Sequence, residues 1–120
     1  MLNPCRLLVV DDEEDLRVML FEALADLGWQ ASGAENGERA LKILAVEQYD
    51  VVLLDFRMPG LTGAEVYQRL RASGNDIPVI LMTAARHIED IAQSLGVARF
   101  VGKPFDLDEL IEAVQSVADC

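Results

Sequence analysis

Asp50-Val51-Val52-Leu53-Leu54-Asp55-Phe56-Arg57-Met58-Pro59-Gly60-Leu61-Thr62-Gly63 is the stretch on which the fold of this chain turns. Val51 to Leu54 are apolar on both faces of an extended segment, the pattern of a parallel strand covered by helices on either side. Met58-Pro59-Gly60 supplies a turn, and Thr62-x-x-Glu65 has the spacing of a capping box that starts a helix. Strand, turn and helix in that order leave Asp55 as the one acid at the tip of a doubly buried strand.

The same alternation repeats outward in both directions. Strand-length apolar runs are expected at Arg6–Val10, Trp29–Gly33, Asp50–Leu54, Ile77–Met82 and Ala98–Val101. Between them, Leu16, Met19, Leu20, Ala23, Leu24 and Leu27 recur at helical spacing, as do residues within Ala40–Val46, Val66–Leu70 and Leu107–Val117. A shorter stripe of Ile88, Ile91, Ala92 and Leu95 marks a helix after Met82. Asn36-Gly37 opens the second helix, Gly28 closes the first, and Asp106-x-x-Glu109 has a second capping-box spacing. Strand followed by helix, five times over, is an α/β sandwich with a parallel sheet. No linker, repeat or low-complexity tract interrupts it, so 1–120 reads as a single domain.

The 120 residues carry 21 acids against 10 bases, a formal charge of −11. Such a surface repels nucleic-acid phosphates and anionic headgroups, which argues against direct binding to either. No apolar run approaches the roughly 20 residues of a membrane span. Met1-Leu2-Asn3-Pro4-Cys5-Arg6 lacks the pattern of a secretory leader. Cys5 and Cys120 show no disulfide or metal-site spacing, so a reduced cytoplasmic location is expected, with Cys5 serving as a small apolar residue.

In an open parallel α/β sheet, ligands bind at the carboxyl ends of the strands. The first apolar run ends in Asp11-Asp12, the third in Asp55, the fourth in Thr83 and the fifth in Lys103. Three carboxylates gathered at one edge repel one another unless a cation sits among them. All-oxygen ligands favour Mg²⁺ over Zn²⁺. Lys103 adds a point charge and Thr83 a hydroxyl for gripping phosphoryl oxygens. A carboxylate can itself attack phosphorus, and Asp55 is the candidate, because the turn and the cap after it are already provided by other residues.

Leu7-Leu8-Val9-Val10-Asp11-Asp12, the Asp55–Gly63 stretch, Leu81-Met82-Thr83-Ala84 and Val101-Gly102-Lys103-Pro104-Phe105 together resemble the receiver domain of two-component response regulators, the CheY-like family. The resemblance implies a flavodoxin-like sheet in the order 2-1-3-4-5 with five helices. It implies that Asp55 is the phosphoacceptor and that Asp12 binds Mg²⁺ directly, with Asp11 acting largely through water and the backbone carbonyl of Arg57 completing the protein's share. Lys103 would pair with the phosphoryl group, Thr83 would move to hydrogen-bond it, and Phe100 would turn inward as the aromatic switch, reshaping the surface of the fourth helix, fifth strand and fifth helix. It also implies a cis Lys103-Pro104 peptide. The donor would be a sensor histidine kinase or phosphotransfer protein and the target an effector protein or an output domain, with a homodimer through the switching surface as an option. Beyond catalysis of its own phosphorylation and slow autodephosphorylation, no enzyme activity is implied.

Two competing functions stay open at this level. A Mg²⁺-dependent phosphatase working through an aspartyl-phosphate would carry a DxD motif after its first strand, where this chain has Asp11-Asp12-Glu13-Glu14. A phosphorylation-independent docking module would usually lack an acid, the Thr or the Lys. No glycine-rich phosphate loop follows the first strand. Of the remaining polar residues, Glu13 is expected to face solvent in the first helical turn and His87 to lie on the surface near a helix start. Arg57 is expected to reach toward the pocket and to alter how long a phosphoryl group survives.

Overall fold

Ten elements alternate strictly in the computed structural model, which describes residues 4–84 and 87–120. They are β1 (Arg6–Val10), α1 (Glu14–Ala25), β2 (Gln30–Ala34), α2 (Gly37–Val46), β3 (Val51–Asp55), α3 (Gly63–Ala72), β4 (Val79–Thr83), α4 (Ile88–Leu95), β5 (Arg99–Gly102) and α5 (Leu107–Val117). The strands form one parallel sheet in the order β2-β1-β3-β4-β5, as expected of a flavodoxin-like sandwich. Met1-Leu2-Asn3, part of the segment read for a leader, lies outside the described residues.

Alternation along the central strands builds two cores, one on each face of the sheet. Leu7, Val9, Val51, Leu53, Ile80 and Met82 point to the face covered by α1 and α5, where they meet Leu20, Leu24, Leu110 and Val114. Leu8, Val10, Val52, Leu54 and Leu81 point to the other face, against Ala40, Leu44, Val66 and Leu70 of α2 and α3. β3 and β4 are buried along their whole length. Burial on both sides is what the unbroken apolar runs demanded.

Helix starts follow their capping residues. Asn36 accepts the Arg39 N–H at 2.8 Å, and Thr62 and Glu65 form the full reciprocal box. Asp106 does cap α5, but it accepts from the Asp108 N–H, not from Glu109, so the expected box is only a one-armed cap.

Several boundaries moved by one or two residues, each for a local reason. Trp29 precedes β2 and does not begin it: its N–H returns to the Leu24 carbonyl and closes the turn after α1. Ile77-Pro78 stays outside β4, because proline has no N–H for the ladder and the Ile77 N–H is taken by the Asn75 side chain. α1 stops at Ala25, so Leu27 lies beyond it and is exposed; Met19 is exposed too, and the inward stripe runs through Leu20, Phe21 and Leu24.

The cysteines overturn their expected independence. Cys5 and Cys120 are joined as a disulfide, with Cα atoms 5.1 Å apart and both residues buried. A separation of 115 positions hid the pairing, which arises because the start of β1 and the end of α5 share one face of the sheet.

Candidate functional site

At the carboxyl edge the chain turns sharply out of each strand, and the turns decide where the side chains go. After β1 the Asp11 N–H donates to the Ala34 carbonyl at 3.2 Å, extending the β1–β2 pairing by one residue. Asp11 Oδ1 accepts the Glu13 N–H at 2.9 Å, which bends the chain into α1, and Oδ2 accepts the Lys103 ammonium at 2.6 Å. Asp11 is fully buried, whereas Asp12, one residue on, is exposed.

Asp55 ends β3 with its side chain only 6% exposed. Its Oδ1 accepts the Arg57 N–H at 3.3 Å and lies 3.6 Å from Lys103 Nζ. The start of α3 is pressed against this strand tip: Gly63 donates to the Phe56 carbonyl at 2.9 Å, and a Cβ on Gly63 would stand 2.5 Å from the Asp55 carbonyl oxygen. Only glycine permits that approach. On the far side, Thr83 ends β4 buried, and its carbonyl accepts the Lys103 N–H at 2.8 Å, which fixes the lysine beside it. The Lys103-Pro104 peptide is cis, as expected.

Asp11, Asp12, Asp55, Thr83 and Lys103 therefore meet at one edge. Burial is the main reason that the Asp55 carboxyl rises from 3.8 to about 6; the Lys103 charge opposes the rise, Asp11 adds to it, the Arg57 N–H opposes it, and Asp12 adds to it. For Lys103, burial works downward as the largest cause. The Asp11 hydrogen bond and the charges of Asp55, Asp11 and Glu13 together outweigh it and raise the ammonium's pKa. Among the described residues the clustered acids outnumber the cations beside them: three carboxylates share the part-buried Lys103 ammonium, while the Arg17 guanidinium is taken up by the Asp11 carbonyl.

A divalent cation fits that shortage. Asp11, Asp12 and Asp55 each offer a carboxylate oxygen, and these three atoms lie within 4.8 Å of one another. Octahedral Mg²⁺ with bonds of about 2.1 Å holds its oxygens roughly 3 to 4 Å apart, so a small closure of the three suits it, and hard oxygen donors are what it takes.

Other expected residues stand apart from this cluster. Phe100 is half-buried on the α2–α3–α4 face of the sheet. Arg57 is exposed, and its contact with the site is through its backbone N–H. His87 is the exposed residue before α4, with a left-handed φ of 61°. Glu13 corrects its expectation: it is the N-cap of α1, not a first-turn residue, and though exposed it extends to within 4.0 Å of Lys103. Arg17 was missed. Its guanidinium donates to the Asp11 carbonyl at 2.6 Å, and the only trace in the sequence is a single base near the start of a helix that opens with acids. A cleft of about 610 Å³ lies at the opposite edge, between the end of α2 and the starts of β3 and β4, far from all these groups.

The sequence profile described as "Response regulator receiver domain" matches residues 7–115. The chain belongs to this receiver family. It is 39% identical over 112 residues to sporulation initiation phosphotransferase F of Bacillus subtilis, covering 92% of this chain and 90% of that protein. It is 44% identical to regulatory protein AtoC of Escherichia coli, of which it spans 24%. Response regulator MprA of Mycolicibacterium vanbaalenii is 35% identical, and the receiver spans 50% of it. Among solved structures, response regulator TrrA of Thermotoga maritima in complex with Mg²⁺–BeF superimposes with a TM-score of 0.86 at 42% identity, covering 94% of this receiver and 98% of that chain. A Francisella response-regulator receiver domain gives 0.88 at 30% identity, covering 96% of each. As a receiver the protein is a phosphoacceptor module of two-component signalling, which leaves the phosphatase and docking-module alternatives unfavoured. No helix among the described residues is long and apolar enough to cross a membrane.

Proposed function

We propose that Asp55 is the phosphoacceptor of this receiver and that Asp11, Asp12, Asp55 and the Arg57 backbone carbonyl hold a Mg²⁺ ion beside it. The observation that carries the reading is the convergence of three carboxylate oxygens within 4.8 Å of one another, with Lys103 Nζ 3.6 Å from Asp55. A relative of known structure was solved with Mg²⁺–BeF.

An Asp55 carboxylate oxygen attacks the phosphorus of a phosphohistidine on a kinase or phosphotransfer protein. The P–N bond breaks, the histidine leaves with a proton, and an acyl phosphate remains on Asp55. When bound, Mg²⁺ offsets charge on the transferring phosphoryl group. Lys103 shares that role, since its ammonium, now on Asp11, swings toward the new oxyanion. Thr83, buried at the neighbouring tip, supplies a hydroxyl to a second phosphoryl oxygen. Its shift leaves space that Phe100 fills, and the α4-β5-α5 surface changes shape.

Slow hydrolysis resets the switch. Arg57 lies in the loop that an attacking water must pass, and it alters the lifetime of the phosphoryl group. The protein works in the cytoplasm as one receiver unit, a location that rests on its family and not on its cysteines, which are paired, and it passes its signal to an effector or output domain, with homodimerisation through α4-β5-α5 as one form of output. It engages neither nucleic acid nor membrane directly.

The test is incubation with acetyl phosphate and Mg²⁺, followed by intact mass. One phosphoryl group per chain is expected in the wild type and none in Asp55→Asn; uptake that persists in the variant removes Asp55 from the role.

A further inference from the structure

Asp11 has four polar groups, and each has a partner. Its N–H donates to Ala34 of β2, its two carboxylate oxygens accept from Glu13 and Lys103, and its carbonyl accepts from the Arg17 guanidinium at 2.6 Å. The Ala34 and Lys103 bonds fix the residue itself, and the Glu13 bond closes a turn around Asp12. The fourth fixes something different, because the Asp11 carbonyl and the Asp12 N–H belong to one rigid peptide plane. Whatever holds that carbonyl fixes where the Asp12 N–H and Cα lie, and so narrows the directions in which the Asp12 side chain can leave the backbone. Asp12 is the exposed member of the acid trio, so its backbone is what aims it.

The reach of Arg17 depends on a residue in another element. Gly33 sits in β2 opposite Val9, beneath α1. A Cβ there would meet the Phe21 ring at 2.7 Å and the Arg17 stem at 3.1 Å for Cδ and 3.4 Å for Nε. The glycine thus leaves a slot in which Phe21 packs and along which the arginine stem lies on its way to the strand tip.

We infer that Arg17, seated over Gly33, is a positioning residue of the cation site: it holds the Asp11-Asp12 peptide plane so that Asp12 faces the ion. The inference rests on the proposed Mg²⁺ site and extends it to two residues that touch neither the ion nor the phosphoryl group. Arg17 is not a ligand and acts only through the carbonyl. Outer groups of this kind change metal affinity by about 10- to 100-fold when removed.

The experiment uses the whole chain and Mg²⁺ alone, with Kd read from amide shifts in an NMR titration of wild type, Arg17→Ala, Arg17→Lys and Gly33→Ala. Arg17→Ala is expected to weaken Mg²⁺ about tenfold, to move the Asp12 amide resonance already in the ion-free protein, and to leave far-ultraviolet circular dichroism unchanged. Arg17→Lys, which keeps a donor on a long stem, is expected to recover part of the loss. Gly33→Ala is expected to copy Arg17→Ala, and adding Arg17→Ala to it should cost little more. With acetyl phosphate as donor, the Mg²⁺ concentration for half-maximal phosphorylation should rise by the same factor while the rate at saturating Mg²⁺ stays near the wild-type value. A Kd within twofold of wild type in a folded Arg17→Ala protein overturns the inference, as does a lower saturating rate at unchanged half-saturation. Failure of the wild type to bind Mg²⁺ overturns the underlying site instead, so the two failures read differently. Should Gly33→Ala not fold, the Arg17 series alone decides.

Discussion

The two edges of the sheet are built to opposite rules. At the carboxyl edge, the carboxylates of Asp11, Asp12 and Asp55 cluster, with the Lys103 ammonium 2.6 Å from Asp11 and 3.6 Å from Asp55, and the Asp55 carboxyl is held up at about 6 mainly by burial. At the amino edge, Arg6 and Cys5 are each fastened to a partner. Arg6 donates to the Gln48 carbonyl at 2.6 Å and to Glu47 at 3.0 Å, and lies over the Tyr49 ring at 4.4 Å; its own N–H goes to the Asp50 carboxylate at 2.8 Å. Beside it Cys5 is joined to Cys120. One edge keeps an electrostatic deficit that a cation or a phosphoryl transfer can act upon, while the other holds the scaffold still as that happens.

The largest effect should come from cutting the amino edge. With 115 positions between the cysteines, closing so long a loop stabilises the fold by about 4 to 5 kcal/mol on chain-entropy grounds. Oxidised protein should lose roughly that much in urea titrations after full reduction, or in Cys5→Ser, with Mg²⁺ affinity unaltered. A matching loss of Mg²⁺ affinity would break the division between the edges.

Next in size is relief of the carboxyl edge. The folded-state pKa of Asp55 is raised, so its ionisation opposes folding: the penalty is absent below about 3.8, grows as pH rises, and is complete above about 6. Its size is on the order of 3 kcal/mol. Asp55→Asn should therefore stabilise Mg²⁺-free protein by up to about 3 kcal/mol near neutral pH and by almost nothing near pH 4. A variant no more stable than wild type at neutral pH would show that Lys103 already balances the acids.

Smaller still is Arg6→Ala, which removes two hydrogen bonds and a stacked cation from a half-exposed site and should cost about 1 to 2 kcal/mol, with little change between pH 6 and 8. The smallest is Asp12→Asn. Exposed as Asp12 is, its loss should shift Mg²⁺-free stability by less than about 0.5 kcal/mol. Yet the stabilisation by added Mg²⁺, about 2.7 kcal/mol in wild type at 100 times Kd, should largely vanish. Retention of that increment would move the ion away from Asp12.

The two edges also differed in how well the sequence announced them. The carboxyl edge was legible because four of the five strand runs end at or just before a chemically distinctive residue: Asp11-Asp12, Asp55, Thr83 and Lys103 stand where the apolar letters stop, while the run at β2 supplies none. The sheet itself was legible for the same reason, since the runs at β1, β3 and β4 are apolar on both faces. The amino edge was not. Cys5 and Cys120 look unrelated until β1 and α5 are folded against each other, and Asp50 reads as a strand's first letter although it serves as a partner for Arg6. Errors within elements have similar causes. Met19 and Leu27 matched a helical period yet face water, because the period does not say which of several apolar stripes faces the sheet. Arg17 was invisible because its contact is with a backbone carbonyl, and a carbonyl carries no signature in the letters.

Because Cys5 lies at the foot of β1 and Asp11 at its top, about 20 Å of extended strand separates the cross-link from the acids. Both cysteines sit at that foot, so a tag, a dye or a tether attached through either flank hangs from a single corner of the protein. A surface-immobilised copy anchored there would present its acidic rim outward to a phosphodonor in free solution.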